Sequence, residues 1–155
     1  MSAYLEFYLK RDGIFTELEA YPRGSFVAQA VHNYIGDEHA VKFTDHLVEQ
    51  AQTWLKDKIE NEKEIIKACE DRIDFLRPTL TGATVESLNV VMEEYEYQRN
   101  TIVECRESID EIQAAIIQIN VFNGIAENLD FQNFELWVGY ETGDLNENPE
   151  FVVES

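Results

Sequence analysis

Histidines at a fixed interval, two cysteines, a basic turn ahead of a helix and a dense row of carboxylates are the residues of this chain with chemistry to offer. His32, His39 and His46 recur every seven residues. On one continuous helix that is two turns, which would bring three imidazoles to one face for a metal. Gly36 and the segment up to Thr44 interrupt any such helix, so ordinary histidines are expected and a metal is not. Cys69 and Cys105 have no CxxC spacing and fall on apolar seams, where thiols are buried and inert. GxGxxG, GxxxxGK[ST], GxSxG and HExxH are also absent. The expectation is a non-enzyme with no catalytic residue and no cofactor. Arg23-Gly24-Ser25 precedes a helical pattern. Open N–H groups and a guanidinium there can hold a phosphate, and plain N-capping by Ser25 is the simpler competing role.

The carboxylates are the strongest chemical signal. The stretch "VVMEEYEYQRNTIVEC", Val90 to Cys105, sits in a series comprising Glu86, Glu93, Glu94, Glu96, Glu104, Glu107, Asp110 and Glu111. Steps of three, four and seven residues on a helix space the charges by roughly 5–10 Å, comparable to phosphates along a nucleic acid backbone. An ordinary solvated face with i,i+4 pairs is the alternative. Tyr97, with Val90 and Val103, adds apolar groups among the charges, and Phe75 adds one near the end of the preceding helix, which suits an interface.

Those residues need elements to position them. The chain has 155 residues, 31 acidic against 12 basic, and a formal charge of −19. One domain of that length buries a core without staples. The charge disfavours direct contact with nucleic acid or anionic membrane and favours basic partners. Met1–Lys10 has no signal-peptide pattern and no membrane-length apolar run occurs, so a cytoplasmic chain is expected. "YLEFYLK" and "IFTELEAY" around Arg11-Asp12-Gly13 predict a β-hairpin with Leu5, Phe7 and Leu9 on one face. Ser25 and Gly36 bracket a short helix with Val27, Ala30, Val31 and Tyr34 inward.

From Thr44 a long heptad pattern runs to about Leu76, with Gln52, Ile59, Ile66 and Ile73 on one seam position and Val48, Leu55, Glu62, Cys69 and Leu76 on the other. "RPTLTGAT" breaks it, and Thr84 caps a second helix expected to end near Gly124. Its seam holds Leu88, Tyr95, Ile102, Ile109 and Ile116 beside Val91, Gln98, Cys105, Ile112 and Ile119. Two such helices should fold back as an antiparallel hairpin. A tight turn about the loop places Cys69 opposite Val91, Ile59 opposite Ile102, Leu55 opposite Cys105 and Glu62 opposite Gln98, with the two cysteines roughly 20 Å apart. "AAIIQINVF" should bury against the sheet, the loop end should stand out as an acidic arm, and Phe134 to Tyr140 should add a strand. "FVVES" closes the chain as an edge strand or an acidic tail. The fold class expected is α+β, in one domain: hairpin and short helix over 1–44, helical hairpin over 45–123, and strand with tail over 124–155.

"FYLKRDGIFTELEAYPRGS", the heptad hairpin and the closing "FELWVGYETGD" together resemble, in layout, small accessory proteins of phages and mobile elements, some of which are anti-defence factors including anti-CRISPR proteins. The resemblance carries no catalytic motif and assigns no residue. It implies a bacterial host cytoplasm and an acidic inhibitor, a DNA mimic that occupies the basic surface of a nucleic-acid-binding defence protein. A sponge for an anionic nucleotide at Arg23-Gly24-Ser25, and a self-associating coiled-coil protein forming homo-oligomers, are the alternatives from other classes.

Overall fold

The computed structural model describes residues 4–36, 40–80, 84–129, 133–140 and 152–153. It is α+β. Strands β1 (Tyr4–Arg11) and β2 (Ile14–Pro22) are followed by α1 (Phe26–Ile35), β3 (Ala40–Lys42), α2 (Asp45–Leu76), a 3-10 turn (Arg77–Leu80), α3 (Val85–Leu129), β4 (Glu135–Tyr140) and β5 (Val152–Val153). The chain divides into two compact units. One comprises Met1–Leu55 with Ala114–Ser155, and the other is Lys56–Gln113. No described helix is long and apolar enough to cross a membrane.

In the first unit the strands lie in the order β2-β1-β4-β3-β5, antiparallel throughout except that β5 runs parallel to β3. The hairpin turns at Asp12 and Gly13, whose φ angles of 51° and 79° match the positive-φ pair of a type I′ turn. The twist of that turn suits the strands it joins. The closing strand does join the hairpin, and β4 is central, with Leu136, Val138 and Tyr140 buried on one face and Trp137 on the other. β3, unexpected from the sequence, is only three residues long, too short for alternation to register. Val152–Val153 forms an edge strand, while residues 141–151, 154 and 155 lie outside the described residues.

A bulge fits β2 to both faces of this sheet. Phe7 pairs with Glu19 but Tyr8 pairs with Glu17, so Leu18 is the extra residue and the side-chain phase reverses across it. Tyr21 therefore serves the face of Phe7, edge-on to it at 5.7 Å, and Phe15 serves the opposite face, edge-on to Tyr8 and Trp137. Lys10 lies over the Phe15 and Trp137 rings at 5.3 and 4.7 Å, closing that second cluster with its ammonium. On the first face Phe7, fully buried, stacks on Phe122 of α3 with centroids 3.9 Å apart and planes 3° from parallel, and Phe43 packs beside it at 6.0 Å.

The short helix has the expected caps. Ser25 Oγ accepts from the Ala28 N–H at 3.2 Å, and Gly36 takes φ 64°, a conformation costly for other residues. Tyr34 was expected inward with Val27, Ala30 and Val31; it is exposed, packed edge-on against His46. Thr44 and Thr84 cap the long helices, accepting from the Leu47 and Ser87 N–H groups at 3.3 Å each. The second long helix does not stop near Gly124 but continues to Leu129. One glycine costs a helix interior only about 1 kcal/mol, less than burying Phe122 just before it stabilises. "AAIIQINVF" is only partly inward, since Ala115, Ile119 and Phe122 are buried while Ile117 and Val121 are exposed.

In the second unit both helices present the expected seams, with Ile59, Cys69, Ile73, Leu76, Ile102, Cys105 and Ile112 buried. The register between them differs. Ile102 packs with Cys69 and Ile73, not Ile59. Cys105 meets Glu62, so Gln98, seven residues or about 10 Å along the helix, does not face it. The tight-turn assumption misplaced the helices by roughly two turns. The connection instead continues beyond Leu76 as the 3-10 turn at Arg77–Leu80, which advances about 2 Å per residue, so α3 joins the hairpin farther along its own length. The same offset corrects the cysteine separation: the two thiols are close enough for one charge to oppose the other.

Phe122→Ala should lower unfolding stability by about 3–5 kcal/mol, because it empties a fully buried ring site. Ile117→Ala, five residues away but exposed, should change it by less than about 0.5 kcal/mol. Urea titrations of both variants check the contrast.

Candidate functional site

At about 100° per residue, Glu86, Glu93, Glu104, Glu107 and Glu111 fall within about 60° of arc on the side of α3 away from its seam. Glu96 and Asp110 border that row. All seven carboxylates are exposed, and among the described residues none has a cation within ion-pair distance. The i,i+4 pairing that makes an ordinary solvated helix face is therefore missing from the row.

Glu94 is different. It accepts from both Arg72 Nε and Arg72 Nη2, the latter at 3.0 Å, a two-pronged contact across the hairpin. The donated guanidinium hydrogen bond holds its carboxyl below the ordinary range. Arg72 also lies over the Phe75 ring at 4.9 Å, so Glu94, Arg72 and Phe75 form one contiguous edge. Val90 and Tyr97, four residues before Glu94 and three after it, share that side of α3 and are about two-thirds exposed, at 66% and 67%. The structure thus gathers the expected residues of this unit into two adjoining surfaces: a carboxylate row along the back of α3, and an apolar edge of Phe75, Val90 and Tyr97 beside it.

The opposite flank was not anticipated. A groove there is lined by Glu70, Asp74, Arg77, Arg99 and Arg106 over a floor that includes Ile73 and Ile102. Arg106 reaches Glu70 at 3.7 Å and Arg77 reaches Asp74 at 3.6 Å. Arg99 and Arg106 are seven apart in sequence, a spacing that marks one helix face, but their partners on α2 depend on the register and were not legible.

Arg23, Gly24 and Ser25 do not converge on the start of α1. Ser25 Oγ is engaged as the cap, and Gly24 O accepts from Gln29 Nε2 at 2.8 Å. The Arg23 guanidinium lies instead over the Tyr140 ring, 4.0 Å from its centroid. His32 packs edge-on to Tyr140 and His46 to Tyr34, while His39 lies outside the described residues. Among the described residues no cluster of three or more His, Cys, Asp or Glu could hold a metal.

Cys69 and Cys105 are buried free thiols. Burial, reinforced by the Glu62 carboxylate that accepts the Cys105 S–H, pushes that thiol up to about 11 from 9.0. In a Cys69→Ser background, alkylation of native Cys105 by iodoacetamide at pH 8 should be slower than that of a free cysteine by about a hundredfold, the ratio of thiolate fractions across two pKa units. The raised value means that the contribution to stability is intact below pH 9 and is lost as pH rises from 9 through 11. Glu62→Gln should speed alkylation and flatten that loss, read by mass spectrometry and by denaturation across the same pH range.

Comparison of the chain with protein-family models, with curated proteins and with solved structures gives no match.

Proposed function

We propose that this protein is a non-enzymatic inhibitor of the kind phages use against host defence, and that the back of α3 docks on the basic, nucleic-acid-binding surface of a host protein and displaces DNA or RNA. The observation that carries this reading is the row of exposed carboxylates with no cation partners among the described residues, bordered by an exposed apolar edge. Carboxylates left unpaired on one face raise the local potential, in a chain already at −19. Like charges held in a line cost the fold some stability through repulsion. A basic partner relieves that cost, and an ordinary solvated face would relieve it with its own lysines. Phe75, Val90 and Tyr97 supply the desolvated contact that charge alone lacks, since long-range attraction chiefly governs encounter rate and apolar anchors govern residence time.

The roles divide accordingly. Glu86, Glu93, Glu96, Glu104, Glu107, Asp110 and Glu111 steer and align. Glu94 is held by Arg72 and positions the Phe75 ring, and Tyr97 and Phe75 anchor. The target is a protein whose own ligand is a polyanion, because a row at helical spacing offers charge with no base edges to read.

The test is capture from a bacterial host lysate on immobilised protein, followed by competition. The captured partner should be released by duplex DNA or by RNA. Its affinity should fall steeply between low and physiological salt, where the Debye length shortens to about 8 Å. The combined Glu93→Lys, Glu104→Lys and Glu107→Lys variant should bind at least roughly a hundredfold more weakly, and Tyr97→Ala roughly tenfold. Capture that withstands both the charge reversal and the nucleic acid competitor refutes the proposal.

A further inference from the structure

The groove on the flank of the helical hairpin has a volume of about 490 Å³ and lies wholly within the second unit. Arg77, Arg99 and Arg106, three of the chain's six arginines, line it. The other three are engaged elsewhere: Arg11 and Arg23 lie over the Phe134 and Tyr140 rings, and Arg72 forks onto Glu94. The groove arginines are held far more loosely. Arg77 comes no nearer to Asp74 than 3.6 Å and Arg106 no nearer to Glu70 than 3.7 Å, too long for hydrogen bonds. Arg99 has no carboxylate within ion-pair distance among the described residues. Three forks of N–H donors thus face one groove with no side-chain hydrogen bond to any described residue.

The backbone that carries these side chains is fixed by the hairpin core. Arg99 and Arg106 stand two turns apart on one face of α3, about 10 Å along its axis, and Arg77 opens the 3-10 turn that follows α2. Between them Ile73 and Ile102, only 9% and 7% exposed, form the floor and pack with Cys69. An apolar floor keeps water from one side of the charges and so strengthens short-range ionic contacts above it. Glu70 and Asp74, one turn apart on α2, offset two of the three positive charges.

We infer that this groove binds a compact multivalent oxyanion, with the chemistry that a short polyphosphate and a tricarboxylate share. Guanidinium forks donate paired N–H groups to phosphate and carboxylate oxygens. A single anionic group gains little here, because Glu70 and Asp74 already offer that much to two of the arginines. An anion with several groups reaches all three guanidiniums at hydrogen-bond distance, which the two carboxylates do not. At a net charge of −19 the chain repels anions at long range, so recognition depends on these direct bonds. The same repulsion opposes seating a second copy of the chain through its carboxylate row. The inference is independent of the inhibitor reading, since none of the α3 carboxylates assigned to docking lines the groove, and its test needs no partner protein.

The experiment titrates the full-length protein by calorimetry with tripolyphosphate and citrate, and with orthophosphate and acetate as their single-group counterparts, all at an ionic strength of about 0.15 M. Tripolyphosphate or citrate should bind with a Kd under about 1 mM and at least roughly tenfold more tightly than its counterpart. Whichever binds names the source. Arg99→Gln should weaken it by roughly tenfold or more, and Arg99→Gln with Arg106→Gln by roughly a hundredfold. Arg11→Gln, which removes the same charge from the other unit, should leave it unchanged. Failure of both multivalent anions to bind at about 5 mM, or equal binding of the single-group probes, overturns the inference without any variant. So does a loss in Arg11→Gln as large as in Arg99→Gln, or unchanged affinity in a double variant that melts as the parent does. Light scattering that shows an oligomer of the parent, dissociated by Arg99→Gln, gives the groove to a second copy and overturns it as well.

Discussion

The stacked contact between Phe7 and Phe122 is the interaction on which the arrangement of the sheet unit depends. β1 is paired on both edges and so cannot be anchored further by backbone hydrogen bonds. What remains are its two side-chain faces, and Phe7 occupies the middle of the one that Phe122 of α3 covers. Tyr21 and Phe43 close around the same ring, so the hairpin, the entry to α2 and the far part of α3 all converge on one side chain. Parallel rings at van der Waals distance also restrict sliding, because an offset of one residue along α3 would rotate Phe122 by about 100° away from the sheet. The helix continues past Gly124 because the position of Phe122 requires regular backbone on both sides of it.

The hairpin unit shows which part of a helical pairing can be read from one chain. Every seam residue inferred from heptad spacing is buried or half-buried, because burial follows from the period of a single helix. Register depends on the connection between two helices, and Arg77–Leu80 neither extends α2 as an α-helix nor turns back at once. Isoleucine faces isoleucine in several alternative registers, so apolar content alone does not discriminate among them. The polar seam residues would discriminate, and they were assigned to each other. Glu62 instead meets a thiol, and Gln52 hydrogen-bonds Asn120.

Legibility of the candidate surfaces followed the same division. The carboxylate row on α3 belongs to one helix and was visible as spacing, including its bordering Tyr97. The tie from Glu94 through Arg72 to Phe75 and the arginine groove each join residues more than twenty positions apart, and nothing in local spacing announces them. The turn at Arg23 was legible as a helix start, whereas the division of its residues between capping at Ser25 and stacking on Tyr140 was not, because Tyr140 lies on a distant strand.

The one-residue bulge at Leu18 makes β2 a phase inverter. Its first half reports to one side of the sheet and its second half to the other, so a single nine-residue strand contributes Phe15 to one aromatic cluster and Tyr21 to the other. Such a strand has no wholly polar face, and the usual alternation that lets an outer strand turn one side to water is suspended. Sequence drift in β2 is therefore constrained unevenly. A substitution conservative by hydropathy is harmless or disruptive according to which side of Leu18 it falls on, and an insertion or deletion there exchanges the inner and outer vocabularies of everything downstream to Pro22.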